Sequence, residues 1–189
     1  GIERFKAVKD GEVLRIGGRT LRIIYAPWLH WPDTIFTFVE EEGALLTCDT
    51  FGSYAITPVF DDQADLRELE RFTRKYAVTI VGHYSDWILK GIEKLRSLGI
   101  SPSIIAPAHG VVYRSRPEWV VEKWAEIASG RPKPGKVVIA YASMYGNVGG
   151  AVERLQELLR AKGFEVIAHG FTDEARPLVS EILTDVSDA

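Results

Sequence analysis

The polar segment Gly130-Arg-Pro-Lys-Pro-Gly135 separates two stretches of sequence that have different hydrophobic patterns. Its prolines and flanking glycines disfavour both helix and strand and are typical of a linker. The first fifty residues alternate as strands do, whereas the residues after the segment follow a strand, helix, strand, helix order. We therefore expect two domains, covering residues 1–132 and 133–189.

The elements of the first stretch are expected from these patterns. Short runs rich in β-branched or aromatic residues predict four strands: Glu12–Ile16, Thr20–Tyr25, Ile35–Glu40 and Ala44–Thr47. Apolar residues then recur every three or four positions up to Ile80, which predicts an amphipathic helix beginning near Asp61 and Asp62. Three further elements are expected after it: helix Asp86–Ser97, strand Ser103–Ala106 and helix Pro117–Ala128.

The second stretch has a simpler order. Its patterns predict, in sequence, strand Lys136–Ala142, helix Gly149–Lys162, strand Glu165–His169 and a helix from Glu174. Strands that alternate with helices in this way form the opening of a parallel, doubly wound sheet. The whole chain is therefore expected to be an α/β protein.

Charge and composition exclude some classes of partner. The net charge of −3 gives no reason to expect a nucleic acid or an anionic membrane surface. The longest apolar runs have the length of a strand, such as Val137 to Ala142, so no membrane span is expected. The only cysteine, Cys48, rules out an internal disulfide and fits a reducing cytoplasm, which is the expected location.

Three potential metal ligands stand at strand ends or in loops of the first stretch. His30 precedes a predicted strand, Asp49 ends one, and His109 follows a buried one. Imidazoles bind iron or zinc, and one carboxylate can bridge two ions that lie about 3.5–4 Å apart. Taken singly, each residue has an ordinary alternative as a surface histidine, a turn-forming aspartate or a loop histidine. Together they favour a metal site.

A second candidate site is the loop Ser143-Met-Tyr-Gly-Asn-Val-Gly149 between a predicted strand and helix. The free N–H groups and the positive dipole end at a helix start favour a phosphate group, and glycine permits close approach of the backbone. The loop lacks the Gly-Lys-Ser/Thr of nucleotide-triphosphate loops, so ATP is not expected. The ordinary alternative is a strand-to-helix turn with an asparagine cap.

The sequences around these candidates resemble the flavodiiron family, also called A-type flavoproteins. The resemblance lies in Leu29-His-Trp-Pro-Asp-Thr-Ile-Phe-Thr-Phe38, Cys48-Asp-Thr-Phe-Gly52, Ile105-Ala-Pro-Ala-His-Gly-Val-Val-Tyr-Arg114 and Ser143-Met-Tyr-Gly-Asn147. It implies the later part of a metallo-β-lactamase-like αββα domain, followed by the first part of a flavodoxin-like doubly wound parallel sheet.

The same resemblance implies roles for individual residues. His30 and His109 would each ligate one iron of a non-haem di-iron centre, and Asp49 would bridge the pair. The phosphate of FMN would be held by a run of six residues: Ser143, Met144, Tyr145, Gly146, Asn147 and Val148. The valine stands where the family usually has threonine, so weaker binding is expected.

The implied activity is reduction of dioxygen to water or of nitric oxide to nitrous oxide, with electrons passed from FMN to the di-iron centre. The implied electron donor is a rubredoxin-like protein or an NAD(P)H-dependent reductase, and the implied assembly is a head-to-tail homodimer or tetramer. The family's His-x-Glu-x-Asp-His cluster does not occur between Gly1 and Leu29. We therefore expect this chain to be part of a longer protein and to be inactive alone.

Two other functions remain open at this point. The first stretch alone fits a zinc hydrolase of the metallo-β-lactamase fold, and the second alone fits a flavin-only electron-transfer protein.

Smaller expectations concern residues near the candidate ligands and the other histidines. Cys48 is expected to pack in the core, His83 to be a loop or capping residue and His169 to be structural. Trp28 and Trp31 flank His30 and are expected to line the metal pocket or an interface, or to pack in the core.

Overall fold

A computed structural model describes residues 6–55, 58–172 and 175–189. The chain divides into two compact units, Gly1–Ser129 and Gly130–Ala189, at the start of the proline-spaced segment. None of the helices in the described ranges combines the length and the apolar character needed to cross a membrane.

The described part of the first unit contains a five-stranded sheet. Its strands, in both chain order and spatial order, are β1 (Val13–Ile16), β2 (Arg19–Tyr25), β3 (Ile35–Val39), β4 (Ala44–Leu46) and β5 (Ile104–Ala106). The first four strands pair antiparallel, whereas β5 pairs in parallel with β4. The five strands predicted from the sequence are confirmed, with shifts of a residue at some ends.

Three helices accompany this sheet: α1 (Leu66–Tyr76), α2 (Ser85–Ser97) and α3 (Pro117–Ala128). The expectation that α1 begins near Asp61 is wrong, because residues 61–63 form a separate 3₁₀ turn. The helix starts instead after Asp65, whose carboxylate accepts hydrogen bonds from the N–H groups of Arg67 and Glu68, both at 3.0 Å. A side-chain cap of this kind satisfies backbone donors that have no partner in the first turn.

The end of α1 also differs from expectation. Apolar residues keep their helical spacing up to Ile80, but the α-helix changes to a π-helical segment at Ala77–Val81. Single π turns of this kind are common at functional sites because they redirect side chains. Here Ile80 lies in the wall of the cavity described below.

The core of the first unit lies between the sheet and the helices. Leu45 and Ile105, which are paired across β4 and β5, are fully buried. Trp124 of α3 is also fully buried and packs edge-to-face against Phe51, with ring centroids 5.6 Å apart. Aromatic pairs in this arrangement stabilise a core beyond the area that they bury. The strand β4, which leads into the turn with Asp49, is therefore held in the core of the unit.

The second unit has the order β6 (Lys136–Ala142), α4 (Asn147–Ala161), β7 (Glu165–Phe171) and α5 (Val179–Val186). The two strands pair in parallel, as predicted. The helix expected from Glu174 is observed from Val179, and Glu174 itself lies outside the described residues.

A polar contact joins β7 to α5. His169 Nε2 lies 2.8 Å from Asp185 Oδ2, and both side chains are partly buried. Lys136 of β6 donates a hydrogen bond to the backbone carbonyl of Asp185 at 2.7 Å. These contacts fit the structural role expected of His169.

A buried carboxylate anchors the chain that follows β5. Asp61 is completely buried, and it accepts hydrogen bonds from three consecutive backbone N–H groups, those of Arg114, Ser115 and Arg116, at 2.8–3.1 Å. Its own N–H donates to the carbonyl of Val112 at 3.1 Å. A buried charge is stable in a protein when backbone donors surround it in this way.

We expect the substitution Asp61→Asn to lower the free energy of unfolding by about 2 kcal/mol or more, because an amide cannot accept all three bonds. Asp62→Asn is the matched control. Asp62 pairs with the exposed side chain of Arg114, so its loss should cost less than about 0.5 kcal/mol. Urea unfolding followed by tryptophan fluorescence measures both changes, and equal losses would contradict the anchoring role.

Candidate functional site

Three loops of the first unit meet at one edge of its sheet. His30 lies in the loop from β2 to β3, Asp49 in the turn after β4, and His109 in the loop after β5. Because β3 runs antiparallel to β4, and β5 runs parallel to it, these three loops leave the sheet at the same edge. Strand order alone therefore brings together residues that are far apart in sequence.

The carboxylate of Asp49 lies between the two imidazoles. His30 Nε2 is 3.1 Å from Asp49 Oδ2, and His109 Nε2 is 3.1 Å from Asp49 Oδ1. Two ligand atoms that each lie about 2.0–2.2 Å from a shared ion are roughly 3 Å apart. The 3.1 Å distance from each Asp49 oxygen to its neighbouring imidazole nitrogen therefore matches the distance between two ligand atoms of one ion.

These three side chains would give two donors to each ion of a pair, rather than three donors to one ion. Among the described residues, no group of three or more His, Cys, Asp or Glu side chains is placed to hold one metal ion. This agrees with the geometry, because each oxygen of Asp49 faces a different imidazole. The donor types suit iron or zinc, so the residues fit a shared two-ion site of which they form one part.

Tyr76 adds a donor next to the carboxylate. It is buried, and its hydroxyl donates a long hydrogen bond of 3.5 Å to Asp49 Oδ1. Burial, and then the charge of Asp49, hold the pKa of Tyr76 far above its usual value. The phenol therefore remains a donor at all ordinary pH values.

These side chains line an open cavity of about 540 Å³. Asp49 is 8% exposed, whereas His109 is largely exposed toward the cavity side. The remaining lining is partly apolar and comes mainly from the turn after β4, the π segment and the loop after β5: Ser53, Tyr54, Ala55, Tyr76, Ile80, Ala108 and Gly110.

Backbone strain is concentrated around the same residues. The described non-glycine residues with positive φ are Trp28, Cys48 and Phe51, at +65°, +52° and +66°. Each lies within two residues of His30 or Asp49. Left-handed backbone costs a non-glycine residue about 1–2 kcal/mol, and such residues cluster at functional sites.

The expectation that Cys48 packs in the core is wrong. It lies beyond the end of β4, in the turn with positive φ, where it is exposed. Partial desolvation, and then the adjacent charge of Asp49, raise the pKa of its thiol. The thiol is therefore in its protonated, weakly reactive form at neutral pH.

The tryptophans beside His30 do not pack in the core. Trp31 is 62% exposed, and its ring lies 5.6 Å from that of His30. Trp28 is partly exposed and stacks on Tyr84 at 5.9 Å. His83 lies exposed in a 3₁₀ turn between α1 and α2, as expected for a loop residue.

The candidate phosphate loop joins β6 to α4 in the second unit. Gly146 has a φ of +80° and immediately precedes α4, which begins at Asn147 rather than at the expected Gly149. Ser143 is buried, and its hydroxyl accepts a hydrogen bond of 3.2 Å from the N–H of Gly149. The earlier N–H groups of the helix have no partner within it, and they are the donors that a phosphate could use.

A cavity of about 480 Å³ lies beside this loop. Its lining includes Ser143, Met144 and Gly146 of the predicted set, whereas Tyr145 is 84% exposed. Glu153, one turn further along α4, also lines the cavity and was not singled out in the sequence. The backbone fits a phosphate group, but this carboxylate opposes its charge.

No family model matches the chain. Individual relatives do match it. The chain is 37% identical over 196 residues to the rubredoxin-oxygen oxidoreductase of Megalodesulfovibrio gigas, covering 97% of this chain and 46% of the relative. It is also 37% identical over 163 residues to the nitric oxide reductase of Moorella thermoacetica, covering 86% of this chain and 41% of the relative.

Solved structures give matches of the same kind. A mutant of the flavo di-iron protein from Thermotoga maritima superposes with a TM-score of 0.90 at 39% identity, covering 97% of this chain and 46% of that one. The flavodiiron protein from Giardia intestinalis gives a TM-score of 0.86 at 27% identity, covering 96% and 44% of the two chains. The chain belongs to the flavodiiron family. It spans less than half the length of these flavodiiron relatives.

Sequence reasoning missed several residues that surround the candidate ligands of this flavodiiron chain. In the sequence, Tyr76 stands on the apolar face of the helix predicted up to Ile80, and Tyr54 carries no signal of its own. Both belong to the cavity because α1 and the turn after β4 pack together, with Tyr54 N–H bonded to the carbonyl of Phe72. No local motif signals this, since the contact depends on tertiary packing.

Gly110, directly after His109, is closely packed in the flavodiiron chain. A Cβ added there would lie 2.2 Å from Ser53 Oγ and 2.8 Å from Ser53 N, and φ is +90°. We expect Gly110→Ala to lower the free energy of unfolding by about 3 kcal/mol, from backbone strain and overlap together.

The control for that substitution is Gly18→Ala. Gly18 has a φ of +80° with nothing within 4 Å of an added Cβ, so only strain of about 1–2 kcal/mol is expected. Denaturant unfolding compares the two variants. If Gly110→Ala lowered the free energy of unfolding no more than Gly18→Ala does, the close packing of Gly110 against Ser53 would not be a constraint.

Proposed function

We propose that this chain provides the later metal ligands and the flavin phosphate loop of a flavodiiron protein. Residues 1–132 are proposed to form the later part of a metallo-β-lactamase-like αββα domain. Residues 133–189 are proposed to form the first part of a flavodoxin-like doubly wound parallel sheet. Support comes from the mixed sheet of the first unit and the parallel strand pair of the second, together with the structural relatives.

The proposed activity is reduction of dioxygen to water, of nitric oxide to nitrous oxide, or both. The observation that carries it is the single carboxylate of Asp49, with one imidazole 3.1 Å from each oxygen. Relatives named nitric oxide reductase and rubredoxin-oxygen oxidoreductase support this reading. A zinc hydrolase would leave the loop at Ser143 without a role.

In this proposal His30 and His109 would each hold one iron, and Asp49 would be shared by the pair. A non-haem di-iron centre held by these residues would pass electrons received from FMN to dioxygen or nitric oxide. Asp49 contributes negative charge to both positions, and the hydroxyl of Tyr76 restrains its Oδ1. Ile80 and Ala108 add apolar wall to the cavity, which suits small uncharged gases.

FMN is the proposed source of those electrons, with its phosphate held at the start of α4 by the run Ser143, Met144, Tyr145, Gly146, Asn147 and Val148. The proposed donor to FMN is a rubredoxin-like protein, because two sets of relatives are named rubredoxin-oxygen oxidoreductase and flavorubredoxin. An NAD(P)H-dependent reductase is the alternative donor. The head-to-tail assembly and the cytoplasmic location remain predictions.

The metal proposal is tested by the iron content of the complete gene product, purified without oxygen. We expect His30→Ala, His109→Ala and Asp49→Asn each to weaken iron binding at least tenfold, because each removes a donor. His83→Ala is the control, since His83 is exposed and is not part of the cavity lining. If a folded variant with all three substitutions bound as much iron as the parent protein, the proposal would be refuted. Zinc with ester turnover and no flavin would indicate the hydrolase instead.

The flavin proposal is tested by the charge of Glu153, which lines the cavity at the phosphate loop. We expect Glu153→Gln to tighten FMN binding several-fold, because it removes repulsion worth about 1 kcal/mol. Glu157→Gln is the control on the same helix, where the side chain is exposed and pairs with Arg154. Fluorescence titration with FMN and with riboflavin, which has no phosphate, should show the gain only for FMN. An equal gain in riboflavin affinity would mean that Glu153 does not face the phosphate, and would contradict phosphate binding at this loop.

A further inference from the structure

Thr50 connects two of the candidate ligand loops. It follows Asp49 in sequence, it is 1% exposed, and its hydroxyl lies 3.1 Å from the backbone carbonyl of Leu29, the residue before His30. A carbonyl can only accept, so the threonine hydroxyl donates this bond. At such low exposure no bulk water is available to replace it.

The turn that contains Thr50 is itself closed by two hydrogen bonds. Thr50 N–H donates to the carbonyl of Thr47 at 3.1 Å, and the hydroxyl of Thr47 donates to the carbonyl of Thr50 at 2.6 Å. Thr47 is completely buried. Asp49 lies inside this closed turn and has little freedom to move relative to Thr50.

Backbone hydrogen bonds tie the same turn to the third loop. The N–H of Ala108, next to His109, donates to the carbonyl of Cys48 at 2.6 Å, and Ser53 N–H donates to the carbonyl of His109 at 3.2 Å. The loop of His30 is attached differently. In the described part of the chain, the Thr50 hydroxyl joins the turn to the backbone of this loop, in addition to the contact between the His30 ring and Asp49.

We propose that Thr50 is a positioning residue, which sets the distance between His30 and the carboxylate of Asp49 through its hydrogen bond to Leu29. This inference rests on the proposed metal centre. A hydrogen bond at the peptide unit before His30 restrains the start of that residue, and Asp49 is the immediate neighbour of the donor. The buried hydroxyl therefore adds a restraint on the 3.1 Å separation of the pair to those within the His30 loop itself.

The variant Thr50→Val tests this, because it keeps the branched shape and removes the hydroxyl. We expect cobalt(II), used as a spectroscopic stand-in for iron, to bind the complete gene product about tenfold more weakly in this variant. Thr50→Ser restores the hydroxyl and should bind within about threefold of the parent. Thr73→Val is the control for lost stability. Thr73 is also completely buried, and its hydroxyl contacts Tyr113 rather than a ligand loop.

A second readout uses the metal-free protein. Imidazole ring signals in ¹H–¹⁵N spectra should shift or broaden for His30 in Thr50→Val and return in Thr50→Ser. The signals of His109 serve as an internal reference, because its loop is attached through backbone bonds that the substitution leaves intact.

The outcomes separate this inference from the proposed function. Unchanged cobalt affinity and unchanged His30 signals in Thr50→Val would overturn the positioning role while leaving the metal centre standing. Equal effects from Thr73→Val, or equal disturbance of both histidines, would also overturn it, since general loosening would then explain the loss. If the parent protein binds no metal, the proposed function fails, and the His30 signals still decide whether Thr50 positions that ring.

Discussion

The contact between one carboxylate and two imidazoles determines how the first unit must be built. Asp49 can face His30 and His109 at the same time only if three loops leave the sheet at one edge. The strand order meets this requirement, because β4 lies between an antiparallel neighbour and a parallel one. Fully buried side chains of β4 and β5 then fix the edge on which the loops depend.

Holding these loops has a local cost that the surroundings must offset. Trp28, Cys48 and Phe51 all adopt left-handed backbone beside the candidate ligands. Strain of this kind persists only where neighbouring contacts over-determine the conformation. The buried packing of Phe51 against Trp124 and the hydrogen bonds of the Thr47–Thr50 turn provide such contacts. The unit therefore concentrates its strain where function needs a fixed geometry.

The sequence predicted the strands and most helices well, because their signals are periodic and local. It also brought His30, Asp49 and His109 to attention, since each stands where a strand meets a loop. It failed where long-range packing decides the outcome. Cys48 is exposed because β4 ends at Leu46, before the cysteine is reached. The π segment at Ala77–Val81 interrupts the helix although the apolar residues keep their helical spacing.

The hydrogen bond from Thr50 to Leu29 shows the same limit, since no pattern relates residues that lie twenty-one positions apart. The two candidate sites of the chain also differ in what they require of the sequence. The proposed metal ligands would act through their side chains, so each substitution would remove a donor. The proposed phosphate loop would act largely through backbone N–H groups at the start of α4, and the side chains of Met144 and Tyr145 are largely exposed. Side-chain identity there matters mainly where it changes conformation or charge, as at Gly146 and Glu153. A sequence motif therefore carries more information about the proposed metal ligands than about the proposed phosphate loop, even though both stand at the ends of strands.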